Sequence, residues 1–325
     1  METNTHYRYP DTESVRKMIE GIWKRKYYTN QGPLTNALEL KIQQNLSVRN
    51  AVVMTNCDIA LLITLLALGE NSEALVPDCH PLYLKNALHR MGIAENVYHQ
   101  DVFSGNKISG DALLGSNKKT VFGFHALGNA TDVKTLMKVC NDGQNDLVLL
   151  SDNHWKSYQS EVNGKFRMVE LFSFQQGQLV NGGEGACMVT NDDDLAAKLR
   201  NIRSSYGAGK PVEIPFTGNG RMSEIQAGMA LLSLEAIDAS QKEKQLIKEK
   251  LTALILSHSL GKDSIITTGD AFFALRIEDN AMRKTLTEIL SQQGYFTAGV
   301  DFLLSADGQL EAKHILMVLL NAKKR

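Results

Sequence analysis

A chain of 325 residues, 43% hydrophobic and 22% charged, is long enough for a sizeable core, arranged as one large domain and a smaller one. Its formal net charge is −1 and its Lys and Arg residues are scattered, so it offers no electrostatic footprint for nucleic acid or an acidic membrane surface. Its cysteines, Cys57, Cys79, Cys140 and Cys187, stand far apart with no CxxC pair, which argues against a metal site or disulfide framework and for a reducing cytoplasm.

The first seventeen residues, METNTHYRYPDTESVRK, hold no apolar run of the signal-peptide kind. Helical patterning then covers 34–46, and a β-branched run, AVVMTN at 51–56, reads as the first strand. The longest apolar run, IALLITLLAL at 59–68, is too short to span a bilayer and reads as a buried helix. Strands follow at 74–77, 96–99, 120–125, 146–151, 168–174 and 186–190, with helices at 83–91 and 132–139 between the earlier ones. Buried runs alternating with helices imply a seven-stranded, mostly parallel sheet covered on both faces. Next comes a helix at 193–202, with Asp192 and Asp193 placed to cap it. A Gly/Pro-rich loop at 206–220 leads to a long helical pattern over 223–254, inside which the domain boundary is expected, giving units 1–238 and 239–325. The remainder predicts a strand at 271–277, a helix at 280–292 and a helical tail ending in Lys323, Lys324 and Arg325.

Six segments carry chemistry-bearing patterns in a fixed order: GPLTNALELKI at 32–42, AVVMTNCDIALLITLLALG at 51–69, FHALGNATDV at 124–133, LLSDN at 149–153, FSFQQGQLVNGGEGACMVT at 172–190 and GNGRMSEIQAGMALLSLEAID at 218–238. Together they resemble the DegT/StrS family of pyridoxal-phosphate (PLP)-dependent sugar aminotransferases over about two thirds of the chain. The resemblance implies the aspartate-aminotransferase-like α/β fold, a homodimer and a nucleotide-sugar substrate. The chemistry of such an enzyme needs four things: a lysine amine that holds the cofactor as a Schiff base, a carboxylate at the pyridine nitrogen, a small-residue turn at a helix N-terminus for the phosphate, and an aromatic stacked on the ring.

Several of those positions have changed. The lysine of F-S-F-x-x-x-K falls on Gln178, with the register set by Phe172, Ser173 and Phe174 on one side and Gly183, Glu184 and Gly185 on the other. No lysine occurs from Met168 to Asp194, and glutamine neither forms an imine nor titrates. The phosphate turn reads Asn56-Cys57-Asp58. A carboxylate ~4 Å from one phosphate charge is repelled by ~4 kcal/mol at an effective dielectric of about 20, although an aspartate there also serves as a helix N-cap. The stacking position falls on Pro81, beside His80, a loop histidine expected to be exposed. Asp152 stands where the pyridine-nitrogen carboxylate belongs, and the residues after it, Asn153-His154-Trp155-Lys156, put Trp155 where the family has glutamine. Ser173, Gly183, Glu184, Gly185, Asn219, Arg221 and Glu224 match the family, and in the family the asparagine at the Asn219 position serves the neighbouring subunit's phosphate.

Positions serving the fold are thus retained and those serving the cofactor are altered. The resulting expectation is a catalytically inactive relative that uses no cofactor and no metal. It would act in binding, scaffolding or regulation as a homodimer, or as the inactive partner of an active paralogue. The alternative is a lysine-independent enzyme of dehydratase type using PLP or pyridoxamine phosphate (PMP), with His80, His154 or Lys156 as base. The segment at 292–320 is shorter than the family's active-site lid, which puts sugar-nucleotide binding in question.

Overall fold

A computed structural model describes residues 10–69, 72–109, 119–162, 165–204, 219–239, 241–258, 261, 264–267, 272–298 and 315–319. The 206–218 part of the Gly/Pro-rich loop, residues 299–314 of the shortened segment and the terminal basic triplet lie outside them.

The chain begins with α1 (Thr12–Arg25) and α2 (Pro33–Leu46), followed by β1 (Asn50–Met54), α3 (Cys57–Leu68), β2 (Glu73–Pro77), α4 (Leu82–Met91), β3 (Ala94–Asp101) and β4 (Lys107–Ser109). Then come β5 (Thr120–His125), α5 (Val133–Gly143), β6 (Asp146–Ser151), β7 (Met168–Ser173), β8 (Ala186–Thr190) and α6 (Asp193–Arg203). The remaining elements are α7 (Glu224–Ala239), α8 (Gln241–Ser257), β9 (Ile265–Thr267), β10 (Phe272–Arg276), α9 (Asn280–Gln292), β11 (Phe296–Ala298) and β12 (Ile315–Leu319).

Eight strands form one sheet in the order β1-β8-β7-β6-β5-β2-β3-β4. The pairs β3–β2, β2–β5, β5–β6 and β6–β7 are parallel, and β1–β8, β8–β7 and β3–β4 are antiparallel. The seven expected strands are all present. The eighth, β4, is a three-residue polar edge with no hydrophobic period to reveal it, and it exists only by pairing with β3. All five residues of β1 and all six of β5, β6 and β7 are buried, as strands covered on both faces must be.

On one face α3 packs among α4 and α6, burying Leu61, Ile63 and Leu65 against Val52, Phe122, Val148 and Leu171. Each fully buried aliphatic side chain of this kind contributes about 1.5–3 kcal/mol. On the other face α2 and α7 bring Leu38, Ile42, Ala227 and Leu234 against Val53, Phe174 and Val189, and that cluster runs on to Ala274, Ile315 and Met317. Those last residues belong to a four-stranded antiparallel sheet ordered β11-β12-β10-β9. Its other side packs on α8 and α9 through Leu251, Ile255, Leu286 and Leu290.

Two differences from the sequence reading matter. The expected C-terminal helix is, at 315–319, the strand β12, laid between β10 and β11. The apolar run ILMVL has no period that distinguishes helix from strand, and pairing decided it. Second, α1 carries no expected counterpart. It is mostly exposed, with Ile22 its buried residue, and Met18 packs where Gly228 of α7 leaves room.

Candidate functional site

In open α/β sheets ligand chemistry gathers beyond the carboxyl ends of the parallel strands. Here those ends carry His125 at the end of β5, Asp152 after β6 and Ser173 at the end of β7, with the N-terminus of α3 beside them.

Asp152 is the hub. Its backbone N–H donates to His125 O (3.2 Å), and its carbonyl accepts the Gly128 N–H (3.0 Å). Its Oδ2 accepts the Leu127 N–H at 3.2 Å, while Oδ1 accepts Asn153 Nδ2 and Gln178 Nε2, each at 3.1 Å. The residues it pins on either side, Leu127 (φ 57) and Asn153 (φ 58), sit in the left-handed region, which costs a non-glycine residue of order 1 kcal/mol.

Gln178 closes the arrangement by accepting the Asn153 N–H on Oε1 at 3.1 Å. Gln178 and Asp152, the positions that the sequence motifs assign to the lysine and to the pyridine-nitrogen carboxylate, are therefore bonded directly to each other. Between Gln178, Asn153, His154, Trp155 and Ser173 remains a cavity of about 10 Å³, roughly one water-sized sphere. Trp155 fills the adjoining space edge-on to Phe172 (4.8 Å between ring centres), and its buried Nε1 has no partner among the described residues.

At the phosphate turn the helix cap is Asn56, not Asp58. Asn56 Oδ1 accepts the Ile59 N–H at 2.9 Å, and Asp58 lies one residue inside α3, in its first turn. The geometry explains the correction, because the capping side chain must belong to the non-helical residue whose oxygen reaches the N–H three residues on. Cys57 is fully buried, with Sγ 3.9 Å from Gly185 O. Burial, with the Asp58 and Glu184 charges adding to it, pushes this thiol up to about 12.

Pro81 is the buried residue at the start of α4, where it offers no ring face of aromatic type. His80 is buried too, contrary to its expected exposure. Its Nδ1 lies 3.2 Å from Pro81 O, and burial lowers its pKa. Sequence reasoning missed Tyr83, two residues beyond Pro81. Its phenol is pushed well above its usual range by burial, then by the neighbouring Cys57, Asp152 and Asp58. The signal was available: an aromatic in the first turn of a helix that starts at the site. Asn219 is exposed and accepts from Arg221 Nε at 3.3 Å.

Behind Asp152 lies a second layer. His125, His154 and Tyr158 cluster, with ring centres 4.6 Å apart for the two histidines and 6.0 Å for the stacked His154–Tyr158 pair. Burial and the His154 ring hold His125 well below the normal histidine range. Lys156 places Nζ 4.9 Å above the Tyr158 ring, a cation–π contact.

Residues 10–298 match the model of the DegT/DnrJ/EryC1/StrS aminotransferase family. The chain belongs to that family. Family relatives include the GDP-perosamine synthases of Caulobacter vibrioides (26% identical, 70% of this chain and 63% of that protein) and Vibrio cholerae (28%, 72% and 66%). Another is the dTDP-4-amino-4,6-dideoxy-D-glucose transaminase of Shigella dysenteriae (24%, 70% and 63%). The matched region thus spans just under two thirds of these relatives. Among solved folds, Helicobacter pylori PseC superposes with a TM-score of 0.75 at 17% identity, over 98% of this chain and 94% of that one. NtdA of Bacillus subtilis, solved with bound PMP, gives 0.75 at 15% identity over 96% and 77%. The large mostly parallel sheet and small antiparallel sheet are therefore the PLP-dependent aminotransferase fold.

Family membership corrects the expectation of no cofactor. The family is one of PLP-dependent aminotransferases, its solved neighbours include PMP- and ketimine-bound members, and both findings point to PLP. The residues present fit that group unevenly. Asp152 offers a carboxylate just beyond β6, and Ser173 a hydroxyl at the end of β7. Gln178 offers no imine-forming amine, and it occupies Asp152 in this conformation.

Proposed function

We propose that this family member binds nucleotide-sugar-type ligands without transaminating, in a binding, scaffolding or regulatory role in sugar biosynthesis. The observation that carries the reading is Gln178, at the lysine position of the family motif, hydrogen-bonded to Asp152 and Asn153. When bound, PLP or PMP supplies an electron-withdrawing ring. Asp152 would hold its ring nitrogen, and Ser173 with the first turn of α3 would face its phosphate, against the charge of Asp58. No lysine lies between Met168 and Asp194 to link it as an imine. The test is to incubate purified protein with PLP, reduce with borohydride and map adducts by mass spectrometry. No lysine adduct is expected; an adduct, sought first at Lys156, would refute the reading. The free, buried state of all four cysteines supports a cytoplasmic setting, and no helix among the described residues is long and apolar enough to cross a membrane.

One observation favours the lysine-independent alternative. His154 lines the same small cavity as Gln178 and is the titratable side chain there, its Nδ1 3.2 Å from Gly128 O and its Nε2 3.3 Å from the Tyr158 hydroxyl. On that reading His154 moves the proton. Sugar conversion in the presence of PMP, abolished by His154→Asn, would establish it; no conversion by the intact chain would end it.

A further inference from the structure

Gln178 does more than leave a lysine position vacant. Its amide is engaged at both ends, donating to Asp152 Oδ1 and accepting from the Asn153 N–H, at 3.1 Å each. The loop beneath it is tied down by its own backbone. Gln178 N–H bonds Gln175 O (3.1 Å), Gln176 N–H bonds Gly183 O (3.2 Å) and Gly182 N–H bonds Phe174 O (2.9 Å). The part free to move is therefore the side chain. Asp152 Oδ1 already accepts two amide donors, Gln178 Nε2 and Asn153 Nδ2, one for each lone pair, so a pyridine nitrogen bonds that oxygen only by displacing one of them.

We propose that Gln178 is a latch on the carboxylate: it must release Asp152 and Asn153 before a pyridoxal-type ring enters, and it sets how tightly such a ring is held. The inference rests on the reading above that no lysine links the cofactor. Asn153 Nδ2 keeps one place on Asp152 Oδ1, and an incoming ring nitrogen competes with the Gln178 amide for the other. A protonated ring nitrogen gives a charge-assisted bond, stronger than the neutral Gln178 amide, but the amide is already in place and brings a second bond with it.

The chain has two tryptophans, which makes a direct readout available. Trp155 lines the cavity, while Trp23 lies on the surface at 77% exposure. In a Trp23→Phe background, Trp155 emission reports occupancy as PMP is titrated into the parent, Gln178→Ala and Gln178→Met. Methionine keeps the length of glutamine and loses both hydrogen bonds. Both variants are expected to bind about tenfold more tightly than the parent. Tighter binding by Gln178→Ala alone would show a steric plug and overturn the latch, as would equal or weaker binding by both. If circular dichroism shows that Gln178→Ala does not fold, Gln178→Met decides alone. PMP cannot form an imine with lysine, so this titration is blind to the lysine question, which the borohydride experiment answers separately.

Discussion

Glu170 is a carboxylate in the middle of β7 with 1% of its surface exposed. Oε1 accepts the Ser157 hydroxyl (2.9 Å) and the Tyr158 N–H (2.7 Å), while Oε2 has no partner among the described residues. Burial outweighs those bonds and raises its pKa from 4.5 to about 8. The folded chain therefore holds a proton that the unfolded chain has lost between those pH values, so this group's contribution to stability is complete below 4.5 and fades as pH rises through 8. Urea unfolding should find Glu170→Gln close to the parent at pH 5 and more stable by about 1–2 kcal/mol at pH 8. An equal difference at both pH values would mean that Glu170 is ionised in the fold. Cys57 makes a simpler case. A fully buried thiol at about 12 is almost entirely protonated at pH 8, so Ellman's reagent should not modify it until denaturant is added.

At the scale of elements, α2 shows how a distant segment finishes a helix. Its N-cap is Gly32, which has no side chain to offer the exposed N–H groups of the first turn. Glu224, in the first turn of α7, supplies the acceptor, taking the Leu34 N–H (2.9 Å), the Thr35 N–H (3.0 Å) and the Thr35 hydroxyl (3.0 Å). Gly32 must be small, because a Cβ there would come within 2.7 Å of that carboxylate. Glu224→Ala should destabilise the fold by about 2–4 kcal/mol in chemical denaturation, since three bonds to a buried charge are lost at a helix N-terminus. Thr35→Val, which loses one of the three, should cost about 1 kcal/mol. A neutral Glu224→Ala would mean that water caps α2 instead.

At the scale of the whole molecule, exposed apolar side chains favour a second copy. Ile19 (48% exposed), Trp23 (77%), Tyr28 (61%) and Ile225 (51%) place large apolar side chains on the surface of α1, α7 and the segment between α1 and α2. Asn219 also faces outward, just before Gly220, whose carbonyl accepts the Thr55 N–H (3.0 Å) beside the α3 turn. A dimer would cover such a surface and could carry Asn219 to a partner's pocket. Light scattering at micromolar concentration should give twice the 36.0 kDa chain mass, with Trp23→Glu shifting the population towards monomer. A monomeric parent would remove the basis for both the homodimer and the paired-subunit readings.

The strands β1, β2, β5, β6, β7 and β8 and the helix α3 were legible in the chain because each is a buried apolar run between turn residues, and burial on both faces writes itself into composition. The ordered motifs placed the family without coordinates. Other features depend on contacts between segments far apart in sequence. β4 and β12 exist through pairing partners, because a short polar edge and an aperiodic apolar run carry no internal signal. Asn56 displaced Asp58 as the cap because capping is decided by where the backbone leaves the helix, not by residue type. That Tyr83 packs on the cluster that contains Cys57, that His80 is buried and that Gln178 joins Asp152 across 26 residues of chain followed from packing alone. A side chain's partners are set by the loop that carries it and the strand end it meets, and a one-dimensional pattern records neither.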